Sequence, residues 1–373
     1  MNRRKIFLVI ILCTVLSACT DQKIVNQICL VHAISFDTVA KGKKTAVLIS
    51  HFKEQGKTDL EVLHTESKSY LSLPRLNTQT NDPLERGQMR MVLFGKTSAE
   101  KGIGTVIHHL LRDPKFSSRL QLGVVERDAS ELLEITTKTQ EPFFLSDMIE
   151  QNMRNGNLPL MNLHVSLFNY YGEGRDMFLP YFKIGREGAA GSGGHGEVKI
   201  DGLALFRSDR MITEISLKDA FLLKMLIQNS KNGSYTVPLA GKASNNTNNQ
   251  GEDFILLRSM HSKANYMVNN VHLIPSISIR LKLVTELQNV PDWVDVRSEE
   301  QLTRLEKTMG SYLKKEIEKF LSRLKENKVD PVGLGDLIRS RSKNWNAQDF
   351  EKIYQEIKTT VSVQVKIANT GSG

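Results

Sequence analysis

The chain has 373 residues, with 50 lysines and arginines against 41 acids, a formal charge of +9, and 40% hydrophobic residues. That length exceeds the usual single core and suggests more than one domain. The basic residues are interleaved with acids and form no dense run with aromatics between them, which argues against a nucleic-acid partner. Of three cysteines, two fall in the first 19 residues, which leaves neither an internal disulfide framework nor a thiolate metal site.

At the N-terminus, Arg3, Arg4 and Lys5 precede an apolar run over 6–16, followed by Ser17, Ala18 and Cys19. As a helix that run rises about 17 Å, well short of the ~30 Å hydrocarbon core of a bilayer. It reads as an export signal over 1–18, removed on maturation. Leu16-Ser17-Ala18-Cys19 has the form of a lipobox, in which the Cys19 thiol takes a diacylglycerol and then becomes the acylated (palmitate-type) first residue. An ordinary signal with a chance cysteine, or an uncleaved anchor, are the alternatives. One acyl chain binds membranes marginally and two bind stably, so lipidation at Cys19 predicts lasting attachment to the extracytoplasmic face of a bilayer. Loss of Arg3, Arg4 and Lys5, with no acid removed, lowers the formal charge from +9 to +6. No cofactor beyond this covalent lipid is expected.

Residues 19–27 read as a polar tether. Strands are predicted at 30–36 and 45–52, joined by the turn-like Lys41-Gly42-Lys43, and again at 90–94, 120–126 and 162–168. Cys29, in an apolar run, reads as a small buried hydrophobe. Helical spacing covers 99–111, 130–135 and 145–154, with Ser146 placed to cap the last. The glycine-rich 185–196 reads as a loop or linker, since a strand follows it where a phosphate cradle needs a helix. A strand over 197–207 and a helix over 217–228 come next, then an Asn-rich loop at 243–251. Residues 276–284 alternate, with Ile277, Ile279, Leu281 and Leu283 inward and Ser278, Arg280 and Lys282 outward, which predicts an antiparallel sheet with one wet face. Ser298 and Gln301 match a capping box that starts a helix over 298–327, whose apolar stripe includes Leu305, Met309, Leu313, Ile317 and Phe320. A last strand alternates through Val361, Val363, Val365 and Ile367.

Catalytic patterns are sparse. His108 and His109 are neighbours on one helix, so their side chains diverge by about 100° and suit no shared metal. No Gly-x-Ser-x-Gly, His-Glu-x-x-His or Walker pattern occurs. Glu299 and Glu300 sit where a helix dipole alone favours acids. Arg112-Asp113-Pro114 reads as a helix stop or as a structural Arg–Asp pair.

The order of segments resembles the Ger(x)C lipoproteins, the C subunits of nutrient germinant receptors in spore-forming bacteria. The lipobox comes first, although Thr20 stands where that family usually has tryptophan. Leu110-Leu111-Arg112-Asp113-Pro114-Lys115 is similar to its "flRdpe" segment, and Asp201-Gly202-Leu203-Ala204-Leu205-Phe206-Arg207 with Asp209 and Arg210 to its "GlAvFk-dk" segment. Lys328-Val329-Asp330-Pro331-Val332-Gly333-Leu334-Gly335 is similar to "vDpfgfG", and Trp345 and the final strand complete the set. The resemblance implies a non-enzymatic subunit with no catalytic or metal residues to carry over. It implies lipid anchoring at Cys19 on the outer face of the spore inner membrane, beside an integral A subunit and a permease-like B subunit. The expected fold is multidomain α+β, with mixed or antiparallel sheets, packed helices and one long C-terminal helix against an antiparallel sheet. The expected segments are the signal 1–18, the tether 19–27, an N-terminal α+β part 28–184, the loop 185–196 and a C-terminal α+β part 197–373. The rival reading is a solute-binding lipoprotein of a membrane transporter.

Overall fold

A computed structural model describes residues 27–52, 58–68, 72–113, 116–117, 119–185, 198–239, 254–269, 274–291 and 294–370. Cys19, the signal, nearly all of the tether, and the loops at 186–197 and 243–251 lie outside these residues. The fold is α+β and built on two sheets.

The first sheet has nine strands. In chain order they are β1 (Cys29–Val39), β2 (Gly42–Phe52), β3 (Thr58–Ser67), β4 (Leu84–Glu85), β5 (Met91–Gly95), β6 (Gln121–Val125), β7 (Phe178–Ile184), β8 (Val198–Arg207) and β9 (Arg210–Ser216). Their spatial order is β3-β2-β1-β5-β6-β7-β8-β9, with the short β4 alongside β1. The centre, β1-β5-β6-β7, is parallel and the flanks are antiparallel. Parallel strands joined by crossover helices are covered on both faces, which is why all five residues of Met91–Gly95 are buried. Met91 and Leu93 point into one core, Val92 and Phe94 into the other.

Helices cover both faces. On one side lie α1 (Leu73–Leu76), α2 (Lys96–Lys101), α3 (Gly104–Arg112) and α6 (Leu163–Tyr171); on the other lie α4 (Ala129–Thr139), α5 (Phe144–Arg154) and α7 (Leu217–Ile227). The single helix predicted near 99–111 is two, broken where Gly102 takes a φ of +117°. The strand predicted at 162–168 is helix α6. Asn162 accepts a hydrogen bond from the Val165 amide at 2.9 Å, and Leu163, Ser166 and Asn169, three apart, are the buried face. That cap outweighs a five-residue alternation that a short helix mimics. Ser146 lies inside α5 and donates back to the Phe143 carbonyl at 2.9 Å, so it caps nothing. The start of α4 is satisfied instead from β1: buried Asp37 accepts from the Ala129 and Ser130 amides at 2.6 and 2.9 Å.

The second sheet runs β10 (Tyr235–Pro238), β11 (Phe254–Asn269), β12 (Ser276–Gln288), β13 (Lys358–Asn369). Antiparallel pairing, as predicted, holds for β12 against β11, but β13 joins β12 in parallel. Alternation reports a wet face and is silent on the direction of the neighbour. The long helix α8 (Glu299–Glu326) lays its predicted stripe on this sheet, with Gly310 close enough to β13 that a Cβ would sit 3.1 Å from the Val363 carbonyl oxygen. Ser298 occupies the N-cap position without making the capping-box bond. Two short helices, α9 (Leu334–Arg339) and α10 (Ala347–Ile353), connect α8 to β13.

One apolar cluster is continuous from the first sheet through α7 to the second. Eight residues of α7 are buried, Asp219 and Lys224 among them. Lys224 donates to the Met153 and Gly156 carbonyls at 3.3 and 2.7 Å, Asp219 accepts from Arg323 of α8 at 2.6 Å, and Tyr266 of β11 donates to the Leu226 carbonyl at 2.7 Å.

A β-bulge at Asp201 in β8 turns that carboxylate outward, 2.6 Å from Lys183. The next residue, Gly202, has no room for a side chain, because a Cβ there would overlap the Ile215 carbonyl of β9. Gly202→Ala is therefore expected to cost about 3 kcal/mol or more, since the strands must part. Urea unfolding monitored by circular dichroism checks this, and an unchanged midpoint would show that β8 and β9 adjust freely.

Candidate functional site

The chain between Gly172 and Met177 meets the chain between Lys328 and Asp336, and this joint holds two strongly perturbed carboxylates, Asp176 and Asp330. Asp330, 3% exposed, folds its own turn: its carboxylate oxygens accept from the Gly333 and Gly335 amides at 2.9 and 2.8 Å. Its backbone amide donates to Asp176 Oδ2 at 2.6 Å, and the Asp176 amide donates to the Asp330 carbonyl at 2.9 Å. The Asp336 amide donates to the Gly174 carbonyl at 2.8 Å, and the Arg175 guanidinium pairs with the Asp336 carboxylate. Close approach explains the glycines. A Cβ on Gly335 would press on Gly174 Cα and the Phe350 ring, and Gly333, at φ +77°, starts α9.

Around this joint, Tyr354 donates to the Val329 carbonyl at 2.7 Å, Trp345 to Glu173 at 2.7 Å and Arg207 to Glu351 at 2.8 Å. A cleft of about 300 Å³ remains, lined by Tyr170, Arg175, Asp176, Arg207, Asp330 and Tyr354 among others. Burial raises the Asp330 carboxyl to about 7, against its backbone donors, and raises Asp176 to about 6. The charge of the neighbouring Asp176 reinforces the rise in Asp330. Two buried carboxylates side by side are a candidate acid–base pair. Here the backbone amides occupy both oxygens of Asp330 and one of Asp176, so the arrangement fastens two segments together.

Residues 110–113 make a second joint. Helix α3 ends at Arg112, as predicted, but Asp113 pairs with Arg86 at 3.0 Å and not with Arg112. At the other end of α3, the Ile103 amide donates to the Asp209 carbonyl at 2.9 Å and the Gly104 amide to the Asp209 carboxylate at 3.3 Å. Thus Asp209, in the β8–β9 turn, fastens α3. His108 and His109 are exposed, and His108 Nδ1 lies 2.8 Å from the Tyr171 hydroxyl. Cys29 is fully buried with its sulfur 3.4 Å from His51 Nδ1, and burial pushes its thiol up, in keeping with an inert packing residue. Nothing local in the sequence marks Asp37, Arg86, Gly174 and Asp176; their partners lie 27 to 162 residues away, a separation that local patterning does not report. Among the described residues no three His, Cys, Asp or Glu side chains gather to hold a metal, and no helix is long and apolar enough to cross a membrane.

Two family descriptions match the chain: a spore germination protein N-terminal domain over 21–184, and a spore germination B3/GerAC-like C-terminal domain over 201–371. The spore germination protein GerQC of Bacillus cereus is 28% identical, covering 100% of this chain and 99% of its own. The putative spore germination protein YfkR of Bacillus subtilis (strain 168) is 23% identical, covering 98% and 96%. The crystal structure of the GerBC protein superposes with a TM-score of 0.55 at 16% identity, covering 90% of this chain and 97% of that one, a likeness of fold.

An acid whose carboxyl is raised in the fold stabilises the protein at acidic pH and loses that contribution as the pH rises through its folded value. Asp176 and Asp330 rise from 3.8 to about 6 and 7, so the loss runs from about pH 4, where the unfolded carboxyls ionise, to about pH 7, above which both states are ionised. Asp176→Asn, which keeps the shape and removes one charge, is expected to flatten the fall in the urea midpoint over that window. An equal fall in parent and variant would place the ionised pair outside the stability balance.

Proposed function

Because the chain belongs to the GerAC-like family of spore germination proteins, we propose that it is the lipid-anchored C subunit of a nutrient germinant receptor, acting by docking and not by catalysis. Its partners in this reading are an integral A subunit and a permease-like B subunit, on the outer face of the spore inner membrane. The single observation that carries the non-catalytic role is the use of the buried acids. Asp37 and Asp330 accept backbone amides on both carboxylate oxygens, and Asp176 on one, in bonds that hold segments together. A perturbed carboxylate so engaged lacks the free face that acid–base work needs. Membrane attachment rests on the lipobox at Cys19 and on the arithmetic of two acyl chains.

Strand direction does not count against the solute-binding alternative, because parallel strands do form the centre of the first sheet. The full-length likeness to spore germination proteins supports the receptor reading over it.

Cys19→Ala is expected to leave the fold intact, to move the protein from the membrane to the soluble fraction of disrupted spores and to impair germination. Full membrane retention of that variant would sink the anchoring mechanism. Affinity purification of the wild-type protein from detergent-solubilised spore membranes should recover two multispanning proteins encoded nearby, whereas recovery of a transporter alone would favour the solute-binding reading.

A further inference from the structure

Between α1 and α3, above β1, runs a groove of about 460 Å³. Ile34 and Phe36 form its floor, and Leu73, Met89, Val106 and Leu110 its walls. At its mouth Arg86 pairs with Asp113 at 3.0 Å and lies over the Phe116 ring, 5.5 Å from its centroid. That pair neutralises itself. His109 and Arg112, three residues apart on α3, also border the groove and are exposed, and Arg112 forms no ion pair or hydrogen bond with any described residue. The mouth therefore has surplus positive charge above an apolar interior that offers few polar partners. An extended peptide would need backbone hydrogen bonds that such a lining does not supply. A molecule with an acyl chain and an acidic head needs none along its tail.

We propose that this groove is a lipid site, in which an acyl chain lies on Ile34 and Phe36 while Arg112 holds an anionic head, and that the ligand is an acidic phospholipid of the bilayer carrying the chain. The position of the tether supports that source. Leu30 of β1 pairs directly with Glu85, the residue before Arg86, and Cys29 with Leu84, so the mouth lies beside the strand start that continues the tether. From Cys19 to Cys29 an extended chain spans at most about 35 Å, which keeps the mouth close to an anchoring membrane. The choice of a membrane phospholipid rests on lipidation of Cys19; the acyl-and-acid chemistry of the groove does not.

The test uses the chain from residue 19 onward carrying Cys19→Ala, so that its outcome is independent of lipidation, which cell fractionation examines separately. It is mixed with phosphatidylglycerol vesicles containing a phosphatidylglycerol with a photoactivatable diazirine at the acyl end. Parallel samples use the phosphatidylcholine counterparts, or a free fatty acid bearing the same group. Crosslinks are expected in peptides spanning 34–36 and 106–110 from the acidic vesicles. They should fall about 5-fold in phosphatidylcholine and in Arg112→Glu, whose thermal unfolding should match the parent because Arg112 is exposed. Labelling confined to other segments, or equal labelling in Arg112→Glu, would overturn the site. Labelling by the free fatty acid alone would overturn the phospholipid as its ligand.

Discussion

From Asp219 to Leu226 helix α7 has no wet side, and much of the architecture is what covering it requires. Residues 217–227 bury Ala220, Phe221, Leu222, Leu223, Met225 and Leu226 around the whole circumference, and a helix apolar all round must be enclosed by other elements. The first sheet covers one side, β11 another and α8 a third, so both sheets share a single apolar cluster. At roughly 2 kcal/mol for each large apolar side chain removed from water, separating the sheets would expose more than the marginal net stability of an ordinary domain can absorb. The two polar residues buried on α7 fix its orientation. Lys224 takes the carbonyls left over at the end of α5, and Asp219 takes Arg323 of α8. Burial lowers the Lys224 ammonium to about 8, so its contacts with two neutral carbonyls do not make good the whole loss of water.

Elsewhere the fold repeats one device, an aspartate that accepts backbone amides from a distant segment. Asp37 receives the start of α4, Asp209 the start of α3, and Asp176 the amide of Asp330. In each case the carboxylate meets donors that a helix or turn leaves unpaired, and charge-assisted bonds of this kind are stronger than neutral ones. The segments by which the chain resembles its family fall on these joints. Asp201 to Asp209 supplies a bulge and a helix fastening, and Asp330 to Gly335 supplies the turn that meets Gly174. Such residues are held by geometry that tolerates few alternatives.

What the sequence revealed follows from how far each signal reaches. The apolar stripe of α8 and the alternation of β12 depend only on neighbours along the chain, and both are present with the expected faces. Residues 162–168 carry a strand pattern because Leu163, Val165 and Leu167 satisfy a period of two, while the deciding contact is the one bond that the Val165 amide donates to the Asn162 side chain. Ser298 and Gln301 have the spacing of a capping box without forming one, since spacing permits that contact and does not compel it. The partners of Asp113 and Asp330 are 27 and 154 residues away. Only the topology brings them together, so Arg86 and Asp176 could be recognised only after folding.

Asp330 shows why a perturbed acid is weak grounds for assigning chemistry in this fold. Burial raises its carboxyl to about 7, the value expected of a general base at neutral pH. Catalysis needs a proton-accepting lone pair directed at open space, with the base free to change charge without disturbing its supports. The oxygens of Asp330 are directed at Gly333 and Gly335, and protonating either one would set a hydroxyl against an amide that already donates to it. A change of charge there is therefore coupled to the turn that joins residues 174–176 to 330–336, so the energy of ionisation is spent on holding segments and not on substrate. The same coupling makes the joint sensitive to its surroundings, because whatever shifts the balance at Asp330 acts on both segments at once.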